Sequence, residues 1–292
     1  MIYTLKSESM KFAFSDIGAE LISATDNSAQ EFIWTAEEEI WNEHSPVLFP
    51  LCGRILGGEY TYKGNTYKMG CHGFFSSSLT EVIFYNETKI VFRLKSNEQT
   101  LKVYPFDFEV DITYTAEANK LSVRADIKNS GNEILPFMYG AHPGFNLPLE
   151  QGLKFSDYKI LFENNPITIY HQQNGPFVNP KGEKIEFKDG IMTLSSDAIR
   201  DAGTLIFSGT GNKAKLFSEH SEKNIEVSFD DQFKYLCFWK ADHPKANYIC
   251  IEPWTGVPSD GITPEDFETR ASMERLNPGE TSTFTYEITF NV

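Results

Sequence analysis

The chain has little of what marks cofactor-dependent, membrane or nucleic-acid-binding proteins. It contains only four cysteines, Cys52, Cys71, Cys237 and Cys250, none in CxxC spacing, so neither a zinc-finger set nor a thioredoxin-type redox pair can be read. Thiols scattered in this way behave in a reducing compartment as small buried hydrophobes, and no disulfide is expected. No run of about 18 apolar residues could span a bilayer. The opening stretch, residues 1–10, lacks a basic segment followed by an apolar one, so no secretory signal is read and a cytoplasmic location is expected. Walker-type and dinucleotide glycine motifs are missing as well, leaving no cofactor and no metal to expect.

Positive charge is also scarce. Lys and Arg number 26 against 41 Asp and Glu, a formal charge of -15. Without clustered Lys and Arg to neutralise phosphates, neither nucleic acid nor an anionic membrane is an expected partner. Helix-period segments are few, and Glu37–Trp41 and Pro264–Glu268 are the best candidates for single turns. No internal repeat, low-complexity tract or Pro/Gly/Ser linker divides the chain, so residues 1–292 are read as one domain, a monomer or weak homodimer.

What the chain has in quantity is aromatic residues and two-residue alternation. Its 24 Phe and 13 Tyr suit pleated, half-buried surfaces. Phe106, Phe108, Val110, Ile112 and Tyr114 alternate with Asp107, Glu109, Asp111 and Thr113. Leu121, Val123, Ala125 and Ile127 repeat the pattern, as do Phe284, Tyr286, Ile288, Phe290 and Val292. Turn residues such as Lys63-Gly64-Asn65, Asn86-Glu87-Thr88 and Asn129-Ser130-Gly131-Asn132 separate the runs and predict hairpins. The sum is an all-β fold of many antiparallel strands, two large sheets face to face with a concave side free for a site.

The stretch Tyr248-Ile249-Cys250-Ile251-Glu252-Pro253-Trp254 is an apolar strand carrying one carboxylate. Alternation places Ile249 and Ile251 toward the core and turns Glu252 away from it. Three further polar residues stand in loops punctuated by Gly and Pro, where backbone geometry is being fixed. They are Arg54 in Gly53-Arg54-Ile55, His72 in Gly70-Cys71-His72-Gly73, and His142 in Gly140-Ala141-His142-Pro143-Gly144. Taken singly, Arg54 reads equally as an ordinary ion pair and either histidine as one held by backbone carbonyls. Trp239 reads as an apolar platform for a ring or as a core residue, and Trp254 carries the same alternatives. His44, His171, His220 and His243 have no motif behind them and read as surface or structural.

In order along the chain stand Pro50-x-x-Gly53-Arg54-Ile55, Gly70-x-His72-Gly73-Phe74, Tyr104-Pro105-Phe106-x-Phe108, Gly140-x-His142-Pro143-x-Phe145, Cys250-x-Glu252-Pro253-Trp254-x-Gly256 and Leu276-x-Pro278-Gly279-Glu280. Together they resemble the aldose 1-epimerase (galactose mutarotase-like) superfamily, and within it a LacX-type bacterial branch. The resemblance covers nearly the whole chain and implies a large antiparallel β-supersandwich. It also implies His142 as general acid, Glu252 as general base, and Arg54 and His72 as binders of sugar hydroxyls. The family uses a hydroxyl-binding aspartate as well, and Asp201 fits its place in the order. The implied partner is a small-molecule sugar, a free or phosphorylated aldose.

Interconverting α and β anomers requires a base for the C1 hydroxyl proton and an acid for the ring oxygen, with rotation about C1–C2 between opening and reclosure. A histidine of near-neutral pKa suits the acid and an ionised Glu252 the base, one on each side of the C1–O5 unit. Competing readings are a carbohydrate-binding or regulatory protein without turnover, a hexose-6-phosphate epimerase, and a glycoside hydrolase. Hydrolysis usually requires a second placed carboxylate. A phosphosugar requires clustered cations, for which Arg54, Lys240 and Arg270 are the candidates.

Overall fold

The alternating segments form strands in the computed structural model, which describes residues 1–292. Phe108–Glu117 and Lys120–Asn129 pair antiparallel and bury their apolar sets, Phe108, Val110, Ile112 and Tyr114 on one and Leu121, Val123, Ala125 and Ile127 on the other. Thr281–Asn291 adds to Lys120–Asn129 and buries Phe284, Tyr286, Ile288 and Phe290. Val292 departs from the pattern and is exposed, because strand pairing ends at Asn291. These strands lie within a nine-stranded sheet whose edges are Ile191–Thr193 and Glu81–Tyr85. The turn at Lys63-Gly64 has positive φ at both residues, the type I′ geometry, and joins Glu59–Tyr62 to Asn65–Lys68.

A second sheet of eight strands runs from Glu183–Ile185 through Ile167–Tyr170, Leu205–Ser208, Tyr235–Trp239 and Tyr248–Trp254 to Gly140–Ala141 and Val47–Leu48. Gly144–Asn146 also pairs with Tyr248–Trp254. One continuous cluster of 69 buried residues draws on both sheets, with Ile112 and Ile288 from the first and Ile206, Leu236, Ile249 and Ile251 from the second. The all-β sandwich expected from alternation is therefore the fold. A three-stranded sheet, Ile2–Lys6, Met10–Ser15 and Leu21–Asp26, contributes Phe12 and Phe14 to the same core.

Helix is sparse, but it falls elsewhere than predicted. Glu37–Trp41 is a turn in which the Ile40 and Trp41 N–H groups both donate to the Glu37 carbonyl. Pro264–Glu268 is likewise irregular, its Asp266 bridging to Thr61. The helices are Thr100–Val103 and Ser196–Ala202. The Ser195 side chain caps the second by accepting from the Ala198 N–H, and Gly203 follows it at φ 73. That Ser-before, Gly-after pattern is a helix signal the strand-dominated reading passed over.

Every residue of Tyr248–Trp254 is buried. Ile249 and Ile251 join the main core, while Tyr248 and Cys250 pack on the opposite face with Trp34 and Ala246. Alternation thus assigns the two faces correctly, but the face carrying Glu252 is covered rather than open. Its cover comes from the Trp34–Trp41 region, whose rings pack on Tyr248 at 4.5 and 5.3 Å.

The core around the Pro50–Arg54 segment depends on Phe49, fully buried with five aromatic rings, Phe74, Phe75, Tyr104, Phe108 and Phe137, at 5.1 to 6.5 Å. Truncation at such a site removes transfer energy and leaves a cavity. Phe49→Ala is expected to cost about 3–5 kcal/mol of unfolding free energy, measured by urea denaturation, and Phe49→Leu clearly less.

Candidate functional site

Strand register builds the site. Gly140 lies opposite Trp254 and Gly144 opposite Cys250 across the same antiparallel seam. The residue midway on one side is His142 and on the other Glu252, so the two come level on one face. The Ile251 N–H donates to the Pro143 carbonyl between them and holds the seam closed. Gly140 is required by the close approach: a Cβ there would stand 2.7 Å from Trp254 Cδ1 and 2.9 Å from Cys52 Sγ. The outcome is His142 Nε2 at 3.2 Å from Glu252 Oε2.

Aromatic rings fix this pair from the sides. Trp41 lies 5.1 Å from the His142 ring, Trp239 packs edge-on at 5.6 Å, and His72 packs edge-on at 5.4 Å. Trp254 continues the wall, 5.6 Å from His72. Of the two readings of Trp239, the half-buried position on the cleft wall is the one observed. Trp254 is buried, yet it too borders the cleft.

His72 is clamped twice to one residue. Its backbone N–H donates to the Gly53 carbonyl at 2.9 Å, and its Nδ1 accepts the Gly53 N–H at 3.0 Å. Because Nδ1 accepts, the ring proton of the neutral imidazole resides on Nε2, which makes His72 a donor. Burial, with the nearby Arg54 charge, pushes its pKa down to about 4, so it is neutral at physiological pH. Arg54 follows Gly53 directly and is exposed at the cleft rim, its carbonyl accepting the Ser259 N–H at 3.0 Å.

The electrostatics of the central pair are set by burial. Glu252 is fully buried and without a cation, so its pKa is raised well above the ordinary carboxylate value, against a smaller opposing effect of Trp254. His142 is pushed well below the ordinary histidine value by burial, with His72 adding to the shift. A free, near-neutral histidine beside a free carboxylate is therefore not what stands here. Neither Glu252 oxygen nor His142 Nδ1 has a well-formed hydrogen bond within the protein. Such orphaned buried polar groups are costly unless a ligand satisfies them.

The structure gathers Arg54, His72, His142, Trp239 and Glu252 around one cleft of about 470 Å³, within the range of roughly 300–1,000 Å³ usual for small-molecule sites. Asp201 is not among them. It lies in the last turn of the Ser196–Ala202 helix, exposed and held by the Arg200 guanidinium at 2.8 Å, beside a neighbouring depression that includes Gln173 and Asn174. The helix turns it outward, which order along the chain does not reveal. Lys240 and Arg270 are also elsewhere. Lys240 lies over the Phe155 ring, and Arg270 is paired with buried Glu265. His44 is tied to Glu20 at 3.4 Å and His171 to Glu183 at 3.3 Å, structural and surface roles as predicted.

Among the cleft residues that carry no motif in the sequence and were not anticipated are Trp41 and Glu43. Their only signal is position, just after an acidic run and before Pro46. Cys250 was also not anticipated: its sulfur, a His142 nitrogen and a Glu252 oxygen lie within 4.8 Å of one another. Burial and the Glu252 charge push that thiol well up, so it stays protonated. A wider groove of about 620 Å³ crosses the outer face of the nine-stranded sheet, lined by residues such as Thr113, Ser122 and Thr285. It holds no histidine, and two of its cations are engaged, Lys213 with Glu226 and Arg124 with Asp126.

Residues 1–289 match the family model described as aldose 1-epimerase. The chain is 28% identical over 304 residues to protein LacX (chromosomal) of Lactococcus lactis subsp. lactis, with 99% of each chain covered. In structure it is similar to a galactose mutarotase related enzyme from Lactobacillus acidophilus, TM-score 0.93 and 34% identity, covering 99% of this chain and 97% of that one. It is also similar to a galactose mutarotase-like protein from Lactobacillus casei, TM-score 0.92 and 29% identity, covering 99% and 100%.

Burial of Glu252 has a stability consequence whose sign is fixed. The unfolded chain releases this proton near 4.5 and the folded chain at higher pH. Between those values the folded state holds the extra proton, so stability declines as pH rises through the raised pKa. Glu252→Gln is expected to flatten that decline and raise Tm at alkaline pH relative to the parent, measured by calorimetry across pH 5 to 9.

Proposed function

The chain belongs to the aldose 1-epimerase family, and on that premise we propose that it is a mutarotase acting on a free aldose. The observation that carries this reading is the side-by-side pair of His142 and Glu252, 3.2 Å apart, buried and otherwise unpartnered within the cleft. The pair stands on one side of the cleft rather than flanking a sugar from both. That arrangement suits the reaction, because O1 and O5 are both bonded to C1 and neighbouring groups can reach both.

With one proton between them, the two groups can exist as Glu252 carboxylate with imidazolium or as carboxylic acid with neutral imidazole. These forms differ by a single transfer across the 3.2 Å contact. In the first form Glu252 takes the O1 proton while His142 protonates O5. The C1–O5 bond breaks and the C1–O1 bond becomes a carbonyl. After rotation about C1–C2, His142 takes the O5 proton, Glu252 returns its proton to O1, and the C1–O5 bond re-forms on the other face. Each turnover restores the starting proton count. His72 Nε2 and Arg54 donate to sugar hydroxyls, and Trp239 offers a face to the ring. Positioned proton transfer of this kind contributes about 10² to 10⁴-fold.

A free sugar is favoured over a phosphosugar by the charge of the cleft. Arg54 is its one Lys or Arg side chain, with Glu43 and Glu252 in the same lining. Phosphate dianions are held by several cations, and Lys240 and Arg270 are engaged away from the cleft.

Polarimetry on freshly dissolved α-glucose and α-galactose tests the reading. The parent protein is expected to accelerate mutarotation over buffer, and Glu252→Gln and His142→Asn each to lose about 10² to 10⁴-fold. Saturable sugar binding without acceleration would replace the enzyme reading by a binding protein. Acceleration should persist into acid below the ordinary histidine range and fail in alkali only beyond the ordinary carboxylate range, because His142 is shifted down and Glu252 up. A profile that simply rises with a pKa of about 6.5 would mean that a free histidine, not a shared proton, controls turnover.

A further inference from the structure

One charged cleft residue is left without a task, Glu43. We propose that Glu43 is a substrate-binding, specificity-determining carboxylate that receives two neighbouring hydroxyls of a neutral sugar and excludes anionic ones. The inference rests on the sugar-site reading of the cleft and names which sugars the cleft accepts.

The position of Glu43 is fixed relative to the acid/base pair. Both the His44 and Ser45 N–H groups donate to the Glu20 carboxylate, at 2.6 and 3.0 Å, pinning the loop on its far side. The His44 carbonyl accepts the Gly144 N–H at 2.9 Å, which ties the same loop to the segment that carries His142. Glu43 Oε2 accepts the Trp41 indole N–H at 3.3 Å, and Trp41 in turn packs on His142 and Trp239 at 5.1 and 5.4 Å. The carboxylate is thus held on a rigid aromatic bracket rather than on a mobile rim.

A carboxylate offers about four lone-pair sites, of which the Trp41 indole and the Ser76 side chain engage two, leaving acceptors over. No Lys or Arg lies within ion-pair distance of Glu43, in contrast to Glu109, Glu219 and Glu226. Burial raises its pKa, and neighbouring Glu20 adds to that, opposed by Trp41, Ser76 and His44. A half-desolvated carboxylate lacking donors is best satisfied by hydroxyls, which bring donors without bringing charge. A phosphate or carboxylate substituent at that end of the cleft meets like charge instead. Glu43 thereby does what the sequence reading had assigned to Asp201, from the opposite end of the chain.

The test measures binding and turnover separately, by calorimetry and polarimetry, for glucose, galactose, their monodeoxy derivatives and their 6-phosphates. For Glu43→Gln we expect Kd and KM for the better hexose to rise at least tenfold, with kcat changed less than threefold. A monodeoxy sugar lacking one received hydroxyl should bind the parent at least tenfold more weakly and be indifferent to Glu43→Gln. The ratio of 6-phosphate to free-sugar affinity should rise in the variant. Calorimetry reads these effects whether or not the parent turns over, so loss of the mutarotase reading and loss of this one are distinguishable. Unchanged Kd for every sugar in a folded Glu43→Gln protein would overturn the proposal. So would equal weakening of all sugars, deoxy or not, which marks a structural role. Release of p-nitrophenol from a nitrophenyl hexoside, abolished by Glu43→Gln, would also overturn it by making Glu43 a hydrolytic carboxylate.

Discussion

Everything at the site follows from one seam of strand pairing. Residues 140–144 run against residues 250–254 with Gly140 opposite Trp254 and Gly144 opposite Cys250. Because side chains on paired strands alternate with a period of two, a slip of one residue would send Glu252 into the Ile249–Ile251 core and separate it from His142. The seam is protected against such a slip by closeness, since Gly140 leaves room for Trp254 and Cys52 where no larger residue fits. Backbone register alone sets the distance between the His142 imidazole and the Glu252 carboxylate.

The second constraint is dielectric. Glu252 is taken wholly out of water without a cation to accompany it, and His142 beside it is displaced in the opposite sense. An isolated buried charge is expensive, so the pair is most stable when it is neutral overall. Overall neutrality with one mobile proton is also the state an anomerisation needs at its beginning and at its end. The instability of a lone buried charge and the demands of the chemistry select the same protonation state.

Most of the architecture was legible because its cause is local. Alternation at Phe108–Tyr114, Leu121–Ile127 and Phe284–Phe290 reports burial of one face of a strand, and the same logic distinguished Ile249 and Ile251 from Glu252. The burial of the strand face that carries Glu252 was not legible, because Trp34 and Trp41, which pack on Tyr248 of that face, lie more than two hundred residues away in the chain. Asp201 was misplaced because order along a sequence cannot say toward which side a short helix turns its last residues. Glu43 was overlooked for the converse reason. It follows an acidic run that looks like solvated surface, and its value comes from the Trp41 indole and the His44 carbonyl, contacts that composition does not carry.

The tie between the His44 carbonyl and the Gly144 amide separates two kinds of heritable change. The His142–Glu252 pair is written into the strand register near residues 142 and 252, where a one-residue insertion would turn one side chain to the other face. On the proposed function, residues that meet the rest of the sugar arrive on turns around Trp41–Glu43 and Gly53-Arg54, the first pinned by the His44 and Ser45 N–H groups to Glu20. Such turns can exchange side chains while their anchors stay in place. On the proposed function, a lineage built on this scaffold is free to change its choice of sugar many times while the manner of opening the ring stays the same.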